Sequence, residues 1–151
     1  MKLRMNRRHF MQTCCALAGL ALAAPLRALA ALWNAAAFEA RDVGGALQGM
    51  GASAIKPSAD IVLVAPDLAE NGAIVQIEVE SRIPGTEAIA ILAEKNPTPL
   101  VANFTFVNGA EPYVILRIKL AETGELKAIV KAGGKYYSAA KNVEVAVGGC
   151  G

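Results

Sequence analysis

The 151-residue sequence has one histidine, three cysteines and one tryptophan, and aromatic residues make up only 5% of it. These scarcities sharpen once the first thirty residues are set apart. Asn6-Arg7-Arg8-His9-Phe10-Met11 places an arginine pair before an apolar run, Cys14 to Ala24, which Pro25 interrupts and Ala28-Leu29-Ala30 closes. A charged stretch, an apolar stretch and a small-residue site in that order mark an export signal, too short to remain as a spanning helix. The paired arginines with Phe10 make it resemble a twin-arginine signal, with Asn6 standing where Ser or Thr is commoner. Residues 1–30 are therefore expected to be removed, and the mature chain to be periplasmic.

Removal takes His9, Cys14 and Cys15 with it. What remains has no histidine and one cysteine, Cys150. A Ser-His-Asp or Cys-His arrangement is then excluded. Zinc, copper and haem sites draw on several His, Cys or Met ligands, so no metal or other cofactor is expected. No internal disulfide can form, although the compartment oxidises thiols. Lys2, Arg4, Arg7, Arg8 and Arg27 also leave, and the formal net charge of +2 becomes ten basic against thirteen acidic residues, −3. A nucleic-acid or anionic-membrane role loses its electrostatic basis.

Residues 31–147 read as one domain. From Ala31 to Ala52 the apolar residues Leu32, Ala36, Val43, Leu47 and Met50 recur at helical spacing. Gly44-Gly45 weakens the middle, leaving one helix or two, and Trp33 and Phe38 are expected to anchor the segment on a sheet. After Pro57 the period becomes two. Strands are expected at Ile61 to Ala65, Ala73 to Glu80, Glu87 to Glu94, Leu100 to Val107, Pro112 to Leu120, Leu126 to Ala132, Tyr136-Tyr137 and Val143 to Val147. Asn71-Gly72, Pro84-Gly85, Asn96-Pro97-Thr98-Pro99, Asn108-Gly109 and Gly133-Gly134 punctuate them as turns. About seven strands without helices between them predict a mainly β fold, an antiparallel sandwich of immunoglobulin type with an N-terminal helical segment. Ile89-Ala90-Ile91-Leu92 is apolar on both faces, as a central strand or a strand meeting a partner would be.

Other candidate chemistry is thin. Glu78 and Glu80 share a strand face, and a solvated face accounts for them better than an acid–base pair. Arg117 and Lys119 could bind an anion, but cross-strand pairing with glutamates is the plainer expectation. Gly133-Gly134-Lys135 lacks Walker spacing and reads as a hairpin turn.

The chain closes on Gly148-Gly149-Cys150-Gly151. Glycine lacks a Cβ, so the stretch is expected to be a thin, flexible arm. Three residues past Val147, at ~3.3–3.6 Å each, carry the thiol roughly 10 Å from the body. Nothing nearby in sequence lowers the Cys150 pKa, and the adjacent α-carboxylate disfavours a second negative charge. On these residues alone, Cys150 is either a presented thiol or an incidental terminal cysteine used for an intermolecular disulfide. In the latter case the chain would be a secreted sandwich that dimerises through its tail as a structural or interaction protein.

Four stretches taken together resemble one family. Pro66-Asp67-Leu68-Ala69-Glu70-Asn71-Gly72-Ala73-Ile74-Val75, Glu94-Lys95-Asn96-Pro97, Arg117-Ile118-Lys119-Leu120-Ala121-Glu122-Thr123 and Val143 to Gly151 are similar to segments of SoxY, the sulfur-oxidation carrier family. The likeness spans nearly the whole mature chain. That family commonly ends Gly-Gly-Cys-Gly-Gly; here the last glycine is missing, which leaves the reach before the sulfur intact. The resemblance implies a carrier and not an enzyme, with thiosulfate-derived sulfur held covalently on Cys150 and Gly148, Gly149 and Gly151 forming the arm. It also implies a SoxZ-like subunit as heterodimer partner, transient contacts with SoxAX-, SoxB- and SoxCD-like enzymes, and export of the folded pair on this chain's signal.

Overall fold

The computed structural model describes residues 34–147. The expected signal at 1–30, Trp33 and the tail from Gly148 lie outside the described residues. The unit that begins at Ala35 opens with two short helices, α1 (Ala35–Phe38) and α2 (Val43–Gly49). Nine strands follow: β1 (Lys56–Pro57), β2 (Ile61–Val64), β3 (Leu68–Ala69), β4 (Val75–Ser81), β5 (Thr86–Ala93), β6 (Leu100–Thr105), β7 (Tyr113–Ile118), β8 (Gly124–Ala132) and β9 (Lys135–Val145).

The strands form two sheets. The larger has the order β1-β9-β8-β5-β6, with β3 also on β9, and the smaller is β2-β4-β7. Their facing sides make the main core. Val75, Ile77 and Val79 of β4 meet Ile89 and Ile91 of β5, with Leu126, Ala128 and Val130 of β8 and Val143 of β9. Truncating a side chain such as Ile91, which is fully buried, would cost about 2–5 kcal/mol. This is the expected mainly β, immunoglobulin-like sandwich. It differs from a purely antiparallel one in that β1 and β3 each pair with β9 in parallel, over two residues.

The two apolar faces of Ile89 to Leu92 are both used within the chain. Ile89 and Ile91 face the sandwich, while Ala90 and Leu92, with Leu100 and Ile129, form a second core. Ala37 and Ala46 of the two helices belong to that second core, and Phe38, Val43, Leu47 and Met50 pack on it. The helical segment is thus a third layer over the outer face of the large sheet. Strand β5 lies centrally, between β8 and β6, so the alternative of a partner-facing strand falls away.

The helical break is not at Gly44-Gly45. It falls before Asp42, which caps α2 by accepting the Gly45 N–H at 2.8 Å. A side-chain carboxylate at that position satisfies a first-turn donor that has no intrahelical partner. Strand β9 is also longer than expected, eleven residues unbroken from Lys135 to Val145. Ser138 to Asn142 lack an apolar alternation, but their backbone continues the ladder with β8. The β8–β9 hairpin turns on Gly133-Gly134, with φ +55 and +71. Both signs suit a two-residue turn matching the strand twist, which a residue with a Cβ adopts at a cost.

Glu78 and Glu80 do share the outer face of the small sheet. Glu78 accepts from the Tyr113 hydroxyl at 2.9 Å, which raises the Tyr113 pKa, and Glu80 pairs with Arg82 at 3.2 Å. Arg117 stands opposite Gln76 in the register, not opposite a glutamate. The cross-strand pairing expected for it is therefore absent.

Gly49 is where α2 crosses α1 most closely. A Cβ there would lie 2.6 Å from the Ala37 nitrogen and 2.9 Å from the Ala36 carbonyl carbon. These are backbone atoms that cannot swing aside, so Gly49→Ala should push the helices apart. The expected loss is about 1–3 kcal/mol, read as a lower urea midpoint at unchanged slope.

Candidate functional site

Strand β9 ends beside the tail, and its last residues are held from two sides. The chain reaches one side by changing sheets. Pro66 stops β2, and the next residues cross from the small sheet to β9 as β3. Lys141 secures this crossing by pairing with the Asp67 carboxylate at 2.9 Å and donating to the Ala65 carbonyl. Glu144 N–H then donates to Asp67 O at 2.9 Å, and Ala146 N–H to Ala69 O at 3.0 Å. The Asn71 side chain accepts from Ala73 N–H at 2.8 Å and closes a local turn. That turn presents Gly72, whose N–H donates to the Val147 carbonyl at 2.8 Å.

On the other side β8 begins at Gly124, opposite Val143. Past that point a side chain replaces the missing ladder: Thr123 Oγ1 accepts from Val145 N–H at 2.9 Å. The loop bearing Thr123 is fixed in turn. Asn96 Nδ2 donates to Lys119 O at 2.8 Å, and Asn96 Oδ1 accepts from Ala121 N–H at 2.9 Å. Leu120 N–H donates to Gly72 O at 2.8 Å, joining this loop to the β3 side.

The four stretches singled out in the sequence therefore meet at one end of the sandwich, around the root of the tail. Leu68, Ile74 and Val147 are exposed there, each by more than half. A shallow groove of about 480 Å³ runs between Pro66, Leu68 and Ile74. The expected attachment residue Cys150 and the arm glycines Gly148, Gly149 and Gly151 lie outside the described residues. Thr123, Asn96, Lys141 and Asp67 are not marked by any sequence spacing: the first three bond the backbone of residues far along the chain, and Asp67 pairs with the distant Lys141 side chain. Thr123, Asn96 and Asp67 lie inside the four stretches, whereas Lys141 lies outside all of them.

The family model for SoxY, "Sulfur oxidation protein SoxY", matches residues 47–150. The chain belongs to the SoxY family of sulfur carrier proteins. A solved relative is the sulfur carrier protein SoxY from Chlorobium limicola, 39% identical, with a TM-score of 0.60 over 66% of this chain and 90% of the other. The superoxide reductase (neelaredoxin) from Ignicoccus hospitalis is 24% identical, with a TM-score of 0.50 over 70% of this chain and 90% of that one. That second likeness is one of fold alone. No curated protein sequence matches the chain.

Asn96 tests the socket. Asn96→Ala leaves the Ala121 N–H and Lys119 carbonyl without the partners they have now, one of them in a part-buried site. A loss of about 1–3 kcal/mol is expected. Asn96→Asp, which keeps the acceptor, should lose less, and amide exchange at Ala121 should follow the same order.

Proposed function

We propose that this SoxY chain holds the sulfur intermediates of thiosulfate oxidation covalently on Cys150 and presents them to partner enzymes. The observation that carries the reading is that the family match runs through residue 150, the cysteine itself. The described body ends at Val147, held at one end of the sandwich by Gly72 and the β3 side, which supports the reading.

The chemistry would come from the partners. Coupling joins Cys150 Sγ to the outer sulfur of thiosulfate, and a SoxAX-like haem enzyme accepts the two electrons released. Water, admitted by a SoxB-like hydrolase, releases the sulfonate as sulfate and leaves a persulfide on Sγ. A SoxCD-like dehydrogenase then oxidises that remaining sulfur. The chain's own part is to carry the sulfur, exclude nothing and fit a narrow entrance. A glycine-flanked thiol suits that task, and the mature chain has no histidine with which to activate the thiol itself.

The proposed partner is a SoxZ-like subunit in a one-to-one complex. Strand β6 ends the large sheet and β7 ends the small one, so both leave unpaired backbone groups. Val64, Tyr113 and Ile115 are exposed on the outer face of the small sheet. Residues 1–30 are proposed as a twin-arginine-type signal that takes the folded pair to the periplasm, leaving 31–147 as the domain and 148–151 as the arm.

Cys150→Ser should abolish thiosulfate-dependent activity of a reconstituted pathway while leaving folding and partner binding unchanged. Mass spectrometry of the wild-type tail after turnover should find added sulfur. Substantial activity in the serine variant would sink the carrier reading. Light scattering tests assembly separately: a stable one-to-one complex is expected on adding a SoxZ-like protein, and a soluble monomer that ignores it would refute the pairing.

A further inference from the structure

The pair Asn-Gly occurs twice in the chain, at Asn71-Gly72 and at Asn108-Gly109. An asparagine followed by glycine is able to modify itself. The glycine backbone nitrogen, on losing its proton, attacks the asparagine side-chain carbonyl carbon, Cγ. A Cγ–N bond forms, ammonia leaves, and a five-membered succinimide ring closes. Water then opens the ring at either carbonyl, giving aspartate or the isomer whose backbone runs through the side chain. No electron is transferred and water is the only co-reactant. Glycine hinders the attack least, because it has no Cβ. The other asparagines precede residues that carry side chains, and Asn96 precedes Pro97, which has no N–H to give up.

The fold treats the two pairs oppositely. At Asn71 the reacting groups are engaged. Gly72 is buried, its N–H donates to the Val147 carbonyl at 2.8 Å, and its own carbonyl accepts from Leu120 N–H at 2.8 Å. Asn71 Oδ1 accepts from Ala73 N–H at 2.8 Å, which holds the side chain on that amide. Freeing the Gly72 nitrogen means parting the end of β9 from the turn before β4, a wide opening and therefore an infrequent one.

At Asn108 the same groups are free. Asn108 and Gly109 are the central residues of a turn between β6 and β7, with φ +56 and +75. Ala110 N–H donates to the Val107 carbonyl at 3.1 Å and closes that turn. Positive φ at both positions is the geometry that Asn-Gly favours. Residues 107–111 are all exposed, and among the described residues neither the Asn108 amide nor the Gly109 N–H has a hydrogen-bond partner. One hydrogen bond spans the turn, so the local opening that brings the Gly109 nitrogen to Cγ breaks little.

We infer that Asn108 is a self-modification site of this chain, and that the fold locks Asn71 against the same reaction. The product carries one more negative charge. In the isomerised form the backbone also gains a methylene between β6 and β7, the strands that end the large and small sheets. The inference concerns the body alone and holds whatever the tail carries.

The full chain would be kept in mildly alkaline buffer and then cleaved at acidic pH. Mass spectrometry would follow the conversion of amide to acid in each Asn-Gly peptide, and a methyltransferase specific for isoaspartate would mark the isomer. In the native chain Asn108 should convert at least about tenfold faster than Asn71, because the Gly72 nitrogen is released only by the wider opening. In concentrated urea the Asn71 rate should rise at least about tenfold and approach that of Asn108, since unfolding removes the bonds at Gly72. Asn108→Gly keeps a pair suited to the same turn. It should remove the acidic form that builds up in the wild type on isoelectric focusing. Equal native rates at the two sites would overturn the inference, as would an Asn108 that stays intact in the native chain while both sites react in urea. An acidic form unchanged in Asn108→Gly would place the reaction elsewhere, and an Asn71 still protected in urea would show that the fold is not what spares it.

Discussion

The hydrogen bond from Gly72 N–H to the Val147 carbonyl is the last in the described chain, and much of the fold is arranged so that it can form. A strand that projects beyond its neighbour carries backbone donors and acceptors with no ladder to enter, and these rarely go unpaired in folded proteins. Here the chain meets the demand by sending the segment after β2 across to the opposite sheet. The Lys141 pairing with Asp67 fixes that crossing, and Asn71 shapes the turn that delivers Gly72. The edge of β9 is closed by the same device: β1 covers it at Tyr137 and Ser138, and β3 at Glu144 and Val145. One long strand thus serves as a hairpin arm, a protected edge and the mount of the tail.

The sandwich was legible in sequence because its strands alternate. Val75, Ile77 and Val79 against Gln76, Glu78 and Glu80 describe a half-buried strand whatever surrounds it. Ile89 to Leu92 could be read only as apolar on both faces, since which neighbour covers the second face depends on where the N-terminal helices dock. Strand β9 was read as two pieces because Ser138 to Asn142 carry no alternation, and its continuity comes from the ladder to β8. The pairs formed by β1 and β3 are too short to show any period. Cys150 stood out through composition: it is the only cysteine in residues 31–151. The socket beneath it did not, because Asn96 to Lys119 and Thr123 to Val145 are bonds between a side chain and the backbone of a residue more than twenty positions away.

The layers also decide which surfaces are left for other proteins. The sandwich core takes one face of each sheet, and the two helices take the outer face of the large sheet around Leu92 and Ile129. What stays open is the outer face of the small sheet, the end strands β2, β6 and β7, and the end that bears the tail. A subunit bound permanently needs a broad surface, and the small sheet with its free edge can offer one. An enzyme that visits briefly needs only the tail and the rim around it. On the proposed reading these two demands fall on different parts of the body, so a permanent partner need not block a transient one.

The absence of histidine from residues 31–151 follows the same separation on the proposed reading. A thiol activated in place, by a neighbouring base or a helix N-terminus, would react with whatever electrophile or oxidant reached it. On the proposed reading an unactivated thiol waits until a partner's site supplies the base, the oxidant or the water. The chain then has to contribute, on that reading, only the thiol and a firm end to the body, and the bonds around Val147 supply the latter. Asn96, Thr123 and Gly72 act on the backbone at the root of the tail. They hold the end of the described chain, from which the tail sequence departs.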